Sequence, residues 1–188
     1  MHKKMNIKLM VVFVVAMTFC SCKNDVLPKP SSHLRLDYPI AEYAAFENSC
    51  PFTFSMNADA IIKGEKECGF TISYPKMKAT VFLTYKTVNG DIDKLLKDAQ
   101  KLTYEHVIKA DDITEQPYIN RGKKVYGMFY NVSGNAATNA QFYVTDSIKH
   151  FVTGSVYFYA KPNFDSIMPA SDYIKNDMQT LMESLKWK

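Results

Sequence analysis

The chain has few of the features on which most enzyme and cofactor sites depend. Its seven glycines are scattered among 188 residues, so no glycine-rich loop for a phosphate group is visible. No G-x-S-x-G motif of a hydrolase nucleophile is present. Beyond residue 21 there are three histidines, and none lies at metal-ligand spacing from a cysteine. These absences argue against nucleotide binding, nucleophilic hydrolysis and a metal site, and we predict no cofactor.

The longest apolar run near the start of the chain is too short to cross a bilayer. About 11 apolar residues at positions 9–19 follow a lysine-rich start, whereas a transmembrane helix needs roughly 20. The run ends at Cys20-Ser21-Cys22, and in bacterial lipoproteins the first residue after cleavage is a cysteine that receives acyl chains. We therefore predict a lipoprotein signal peptide at residues 1–21 and lipid modification of Cys22. The alternative is a soluble secreted protein cut near Ser21.

The charge of the chain does not favour nucleic acid as a partner. Three of the 23 Lys and Arg residues fall within the signal, which leaves 20 basic against 19 acidic groups. The remaining lysines are dispersed, so the sequence predicts no basic face and no nucleic-acid binding. The 167 residues after the signal suit one domain with a single core.

Two cysteines remain once the signal is removed and Cys22 is acylated. Export places Cys50 and Cys68 in a compartment that permits disulfides. A bond between them would close a loop of about 18 residues and stabilise the fold by about 3 kcal/mol. We predict this disulfide, and the alternative is a pair of buried free thiols.

The rest of the chain reads as a short tether followed by one folded domain. Residues 22–33 contain prolines and serines and little to bury, which is typical of a flexible linker. Within residues 34–188, apolar residues at helical spacing predict one helix from Ile92 to beyond Leu102 and another at 174–185. Strands are predicted at 34–37, 52–55, 70–74, 79–86, 123–132, 140–145 and 151–159.

Prolines divide the remaining segments. Residues 111–116 predict a short helical turn that the next residue, a proline, ends. Pro162 and Pro169 bracket a predicted loop, after which Ser171 or Asp172 would cap the last helix. The short connections between the later strands predict an antiparallel meander. Together these elements predict an α+β fold, in which an antiparallel sheet is packed by a mid-chain helix and a C-terminal helix.

The candidate catalytic groups are poor. Asp146, Ser147 and His150 come nearest to a triad, but they lie within five residues at a predicted tight turn, whereas a triad is assembled by folding. His106 follows a helix end, where a cation complements the helix dipole. We predict a non-enzymatic protein. The alternatives are a ligand-binding module with a pocket between sheet and helix, and an envelope hydrolase that uses His150 or His106.

Aromatic residues are dense in the second half of the chain. Most are expected to be core residues or cross-strand pairs. However, Tyr157-Phe158-Tyr159 places rings on both faces of a strand, and we expect helices to cover only one face of the sheet. An exposed remainder would be a surface for binding another protein.

Several motifs carry a resemblance to a known family. They are YPKMKAT at 74–80, HVIKAD at 106–111, KVYG at 124–127, QFYVTDS at 141–147 with KHF at 149–151, PNFDS at 162–166 and ESLKWK at 183–188. With the Cys22 signal, Cys50-Pro51 and Cys68, they resemble the gliding-motility lipoprotein family GldD of the Bacteroidetes over nearly the whole chain after the signal. The order of elements is also similar to the PsbP and Mog1 type of α/β sandwich.

The resemblance implies a lipoprotein required for gliding and for the associated type IX secretion machinery, acting with other gliding lipoproteins such as GldJ. It implies no catalytic residues. Lys23 follows the lipidated cysteine, where some lipoproteins carry an acidic signal for retention in the inner membrane. We therefore expect an outer-membrane protein. An oxidising, machine-bound role favours an orientation that faces the periplasm.

Overall fold

The structure is a computed structural model that describes residues 38–105, 109–159 and 164–188. Its strands and helices account for most of these residues. The strands are β1 Tyr43–Phe46, β2 Phe52–Asn57, β3 Ile61–Lys66, β4 Gly69–Tyr74, β5 Ala79–Thr87, β6 Ala110–Asn120, β7 Val125–Gly134, β8 Ala140–Thr145, β9 His150–Phe158 and β10 Lys186–Trp187. The helices are α1 Ile92–Tyr104 and α2 Phe164–Ser184, and a 3₁₀ turn spans Pro75–Met77.

The strands form a large and a small antiparallel sheet. The large sheet has seven strands in the order β3-β4-β5-β9-β8-β7-β6, and the small sheet has three in the order β1-β2-β10. Strands β6 to β9 form the predicted meander, and β5 pairs with β9 along its whole length. The predicted single α+β domain, with an antiparallel sheet, a mid-chain helix and a C-terminal helix, is confirmed.

One face of the large sheet holds the main core. Alternation along β5 turns Val81 and Leu83 to this face, where they pack with residues of β8 and β9. Helix α2 covers the face with Ile174, Met178 and Leu181, which fall at helical spacing and are buried. The small sheet also packs here, because its phenylalanine rings contact Phe70 of β4.

The opposite face of the large sheet is covered in part by α1. Leu95 and Ala99 of this helix are buried against Phe151 of β9, and Tyr143 of β8 stacks on Phe151 with ring centroids 5.7 Å apart. Helices therefore lie on both faces of the sheet, and the expectation that they cover only one face was wrong. We refer to this second side as the α1 face.

Two predictions that rested on prolines were wrong. Residues 111–116 lie in strand β6 and not in a helical turn, and Pro117 is inside that strand. Strand β6 is at the edge of the sheet and pairs only with β7, so a proline there removes no hydrogen bond to a second neighbour. Pro169 lies inside α2 and not at the end of a loop. Because α2 begins at Phe164, Pro169 lies in its second turn, where the missing N–H removes one backbone hydrogen bond of the helix.

The early start of α2 also removes the predicted caps, since Ser171 and Asp172 lie well inside the helix. Besides β6, the sequence patterns missed three strands, β1, β3 and β10. Six predictions fall on residues outside the described ranges: the signal at 1–21, the lipidation of Cys22, the tether at 22–33, the strand at 34–37, the role of His106 and the loop residue Pro162.

The large sheet has two ends that matter for the site. At one end, which we call the Tyr159 end, β3 and β5 begin at Ile61 and Ala79, and β4 and β9 finish at Tyr74 and Phe158. The 3₁₀ turn between β4 and β5 also lies there. At the opposite end, which we call the Trp187 end, β5 finishes beside the start of β9. Trp187 stacks there on His150, with ring centroids 5.1 Å apart.

Candidate functional site

The predicted lipidation residue, Cys22, and His106 lie outside the residues that the structure describes. In the described part of the chain, neither helix is long and apolar enough to pass through a bilayer.

The predicted disulfide partners lie together at the Trp187 end. Cys50 comes just before β2, and Cys68 lies in the turn between β3 and β4, where it has a positive φ of 61°. The structure joins them by a disulfide with Cα atoms 5.5 Å apart. This bond links the small sheet to the tip of a hairpin in the large sheet.

Asp146, Ser147 and His150 form a structured turn and not a catalytic triad. The Asp146 Oδ1 atom accepts hydrogen bonds from the backbone N–H groups of Ile148, Lys149 and His150, at 3.0, 2.8 and 2.8 Å. Burial acts to raise the pKa of Asp146, but these three N–H donors lower it below its ordinary value. The carboxylate therefore organises the hairpin backbone and is not directed at the imidazole.

The imidazole of His150 is engaged elsewhere. Its Nδ1 atom lies 2.8 Å from the hydroxyl of Tyr85, and its ring stacks on Trp187. The indole N–H of Trp187 donates to the carbonyl of Lys124 at 3.0 Å. The triad nearest to a hydrolase site in the sequence is thus divided between a backbone turn and an aromatic cluster.

The most prominent polar cluster in the described residues surrounds Asp177, a residue that the sequence reasoning did not select. Asp177 is 3% exposed and lies on α2. Tyr43 donates to its Oδ1 at 2.6 Å, Asn57 donates to its Oδ2 at 2.8 Å, and Tyr74 also donates to the carboxylate. Asn57 further donates to the hydroxyl of Tyr173 at 2.9 Å. One carboxylate therefore connects α2 with β1, β2 and β4.

The electrostatics of this cluster follow from burial. Desolvation raises the pKa of Asp177 above its ordinary value, although the hydrogen bonds from Tyr43, Asn57 and Tyr74 oppose the shift. Burial and the acceptor Asp177 raise the pKa of Tyr43 to about 12, and burial raises that of Tyr74 further. Because Tyr43, Asn57 and Tyr74 all donate to the Asp177 carboxylate, the cluster holds these elements together, and the raised pKa values of the two tyrosines keep their hydroxyls protonated.

The sequence gives only a weak indication that Asp177 is buried. It stands beside Met178 in the apolar stripe of α2, where a charged residue would be unexpected on a buried face. Its partners are 103, 120 and 134 residues away in the chain, so no local pattern could connect them.

The α1 face carries a cleft between helix and sheet, as a ligand-binding module would. The cleft has a volume of about 210 Å³, and its lining includes Leu95 and Leu102 of α1 and Thr84 and Phe151 of the sheet. Binding pockets for drug-sized molecules span roughly 300–1,000 Å³ and are mostly enclosed. The cleft is smaller than this range, and among the described residues no group of three His, Cys, Asp or Glu side chains is placed to hold a metal ion.

The three predicted partner-binding aromatics have different surroundings. Tyr157 lies on the α1 face beside Phe82, with ring centroids 5.8 Å apart, and Phe82 is 39% exposed. Phe158 points to the other face and packs against the main core. Tyr159 lies at the end of the sheet and is 66% exposed. The structure therefore divides the trio among an open sheet face, the core and the surface.

The fold and these clusters define an α+β domain whose buried polar groups hold its layers together and whose exposed aromatic groups lie at the surface. Residues 23–187 match the family model described as gliding motility lipoprotein GldD, so the chain belongs to this family. A comparison with curated proteins found no match. Family membership places the protein at a membrane of the cell envelope, in association with the motility machinery.

Proposed function

We propose that the protein is a non-enzymatic accessory subunit of the gliding machinery and of the associated type IX secretion machinery. Acyl chains on Cys22, palmitate among them, would hold it in the outer membrane, with the folded domain in the periplasm. There it would bind or stabilise other envelope lipoproteins of the machinery, such as GldJ.

The observation that carries this proposal is where the family match begins. It covers residues 23–187, and residue 23 directly follows the cysteine at the end of the signal-like segment. A lipoprotein processed before Cys22 would consist of the lipidated cysteine followed by the matched region. The family description and the cysteine position therefore support the same architecture.

The contacts of the polar residues support a binding role. His150 is held by Tyr85 and Trp187, and Asp177 accepts hydrogen bonds from three donors. Both side chains are therefore used in contacts within the fold.

The partner-binding surface that we propose is the open part of the α1 face. Phe82 and Tyr157 lie side by side there, on the parts of β5 and β9 that α1 leaves uncovered. Paired aromatic rings on an exposed sheet are suited to a protein interface, because they bury a large apolar area at a small cost in side-chain entropy.

In-cell photo-crosslinking tests this function directly. A photoreactive amino acid replaces Phe82 in the native organism, and captured proteins are identified by mass spectrometry. We expect capture of gliding or secretion lipoproteins. The matched control places the same group at Lys97, an exposed residue of α1, where capture should be much weaker. If Phe82 captures no envelope protein, or if Lys97 captures the same set, the proposed interface is wrong.

A further inference from the structure

Apolar and basic groups lie together at the Tyr159 end of the domain. Three exposed apolar side chains are found there: Ile40, Ile61 and Tyr159 are 95%, 52% and 66% exposed. The 3₁₀ turn adds exposed Lys76, and Lys78 follows it, also exposed. The backbone N–H of Tyr159 donates to the carbonyl of Lys78 at 2.8 Å, so the tyrosine and the turn form one surface.

The described chain also begins at this end. Tyr38 packs on Tyr173, with ring centroids 5.3 Å apart, and lines a small cleft with Tyr74, Pro75 and Met77. Tyr38 is 16 residues after Cys22. The chain that leads from the predicted anchor therefore enters the domain beside the exposed groups.

The lengths involved favour this end over the opposite one. A flexible linker of 16 residues has a root-mean-square span of about 22 Å and a fully extended span of about 55 Å. Strand β5, which runs from the Tyr159 end to the Trp187 end, has nine residues and is about 30 Å long. A relaxed linker would keep the Tyr159 end near the bilayer, whereas the Trp187 end would reach it only if the linker were stretched.

We propose that the Tyr159 end rests on the bilayer that holds the acyl anchor. Ile40, Ile61 and Tyr159 enter the interfacial region, which suits tyrosine because its ring is apolar and its hydroxyl is polar. Lys76 and Lys78 face anionic headgroups, which attract lysines near the membrane surface. Asp59, which lines the cleft beside the turn, opposes part of this attraction. The inference rests on the proposed anchor at Cys22.

This contact would fix how the domain is presented. The Trp187 end, with the disulfide and the Asp146 turn, would point away from the membrane. The α1 face would then be roughly perpendicular to the membrane plane. The open pair of Phe82 and Tyr157 would then be accessible to a neighbouring protein in the same membrane.

Tryptophan fluorescence in lipid vesicles tests the contact. Full-length protein is purified from the membranes of a bacterium that processes lipoproteins and is reconstituted into vesicles of phosphatidylethanolamine and phosphatidylglycerol, with or without brominated acyl chains. Two variants are compared, Tyr159→Trp at one end and Ile148→Trp at the other. The replaced side chains are similarly exposed, at 66% and 70%. The signal of native Trp187 is subtracted by use of the unmodified protein.

We expect brominated lipid to reduce the emission of Tyr159→Trp at least twofold and to leave that of Ile148→Trp unchanged. The pair Lys76→Glu and Lys78→Glu, introduced into Tyr159→Trp, should weaken the quenching. Equal quenching at both ends, quenching only at position 148, or no quenching at position 159 would overturn the proposed orientation.

A second readout separates failure of the orientation from failure of the anchor. The same preparations are floated with vesicles and their intact mass is measured. Protein that is acylated and floats, but is not quenched at position 159, refutes only the membrane contact. Protein that carries no acyl chain and does not float refutes the anchor at Cys22 and, with it, the basis of the contact.

Discussion

Tyr43 on the short strand β1 donates a hydrogen bond to Asp177 on helix α2, at 2.6 Å and across 134 residues of sequence. Strand β1 pairs only with β2, and most of its side chains are exposed. The hydrogen bond to a buried carboxylate therefore supplies a fixed attachment for the start of a strand whose other contact with the core is made by Phe46. Because β1 is the first described strand, this attachment also joins the N-terminal part of the described chain to the C-terminal helix.

Loss of the Asp177 carboxylate should destabilise the domain strongly. Asp177→Ala leaves donors from Tyr43, Asn57 and Tyr74 without their acceptor, and we expect a loss of about 3–5 kcal/mol in the free energy of unfolding. Urea unfolding followed by circular dichroism measures it. The matched control is Asn176→Ala on the same helix, whose exposed side chain should contribute less than about 0.5 kcal/mol. Similar losses in both variants would show that the cluster has no special role.

The pKa of Asp177 also predicts a pH dependence. Its folded pKa is raised above 3.8 by burial, so the folded state binds this proton more tightly than the unfolded state does. The free energy of unfolding should therefore fall as the pH rises from 3.8 through the raised value. The lowered pKa of Asp146 acts in a different interval, because its contribution is lost only as the pH falls below 3.8.

Unfolding of the wild type and of Asp177→Ala at several pH values measures this dependence. The difference in stability between them should be larger near pH 4 than near pH 7. A difference that stays constant, or that grows with pH, would contradict the raised pKa.

The bond between Cys50 and Cys68 should stabilise the domain by about 3 kcal/mol, because it closes a loop of 18 residues in the unfolded chain. Thermal unfolding with and without a thiol reductant measures this. We expect the reductant to lower the melting temperature of the wild type. The double variant Cys50→Ala, Cys68→Ala is the control and should not respond. A wild type that is equally insensitive to the reductant would mean that the thiols are not joined.

Gly127 should tolerate no side chain. It lies on β7, where a Cβ atom would collide with the backbone oxygen of Tyr143 on the neighbouring strand and would press on Val144 at 2.8 Å. We expect Gly127→Ala to cost about 1–3 kcal/mol. Gly64→Ala is the matched control, since the nearest atom to its Cβ would be Thr71 Oγ1 at 3.9 Å. Chemical unfolding should find Gly64→Ala near the wild type, and an equal cost at both sites would argue against this strand packing.

The elements that the sequence predicted well are those in which the spacing of apolar residues indicates which face is buried. Strand β5 alternates, and Val81 and Leu83 are indeed buried while Thr84 is exposed. Helix α2 has its apolar residues at helical spacing, and Ile174 and Met178 are buried as that spacing requires. Both elements pack one face on a core, so local periodicity was sufficient.

The elements that the sequence missed lie at edges, where the pattern is weak. Strands β1 and β3 are edge strands with mostly exposed side chains, so no alternation marks them. Strand β6 contains Pro117 and several acids, which are typical of turns but are tolerated at an edge. The Asp177 cluster depends on strands β1, β2 and β4 reaching α2, and that arrangement is a property of the tertiary fold.

Metabolic labelling with palmitate tests the central claim most directly. The full chain and its Cys22→Ser variant are expressed in a bacterium that processes lipoproteins, with Cys20→Ser as the control. We expect label in the wild type and in Cys20→Ser, and none in Cys22→Ser. Label that persists in Cys22→Ser, or a wild type that takes up none, would contradict this claim.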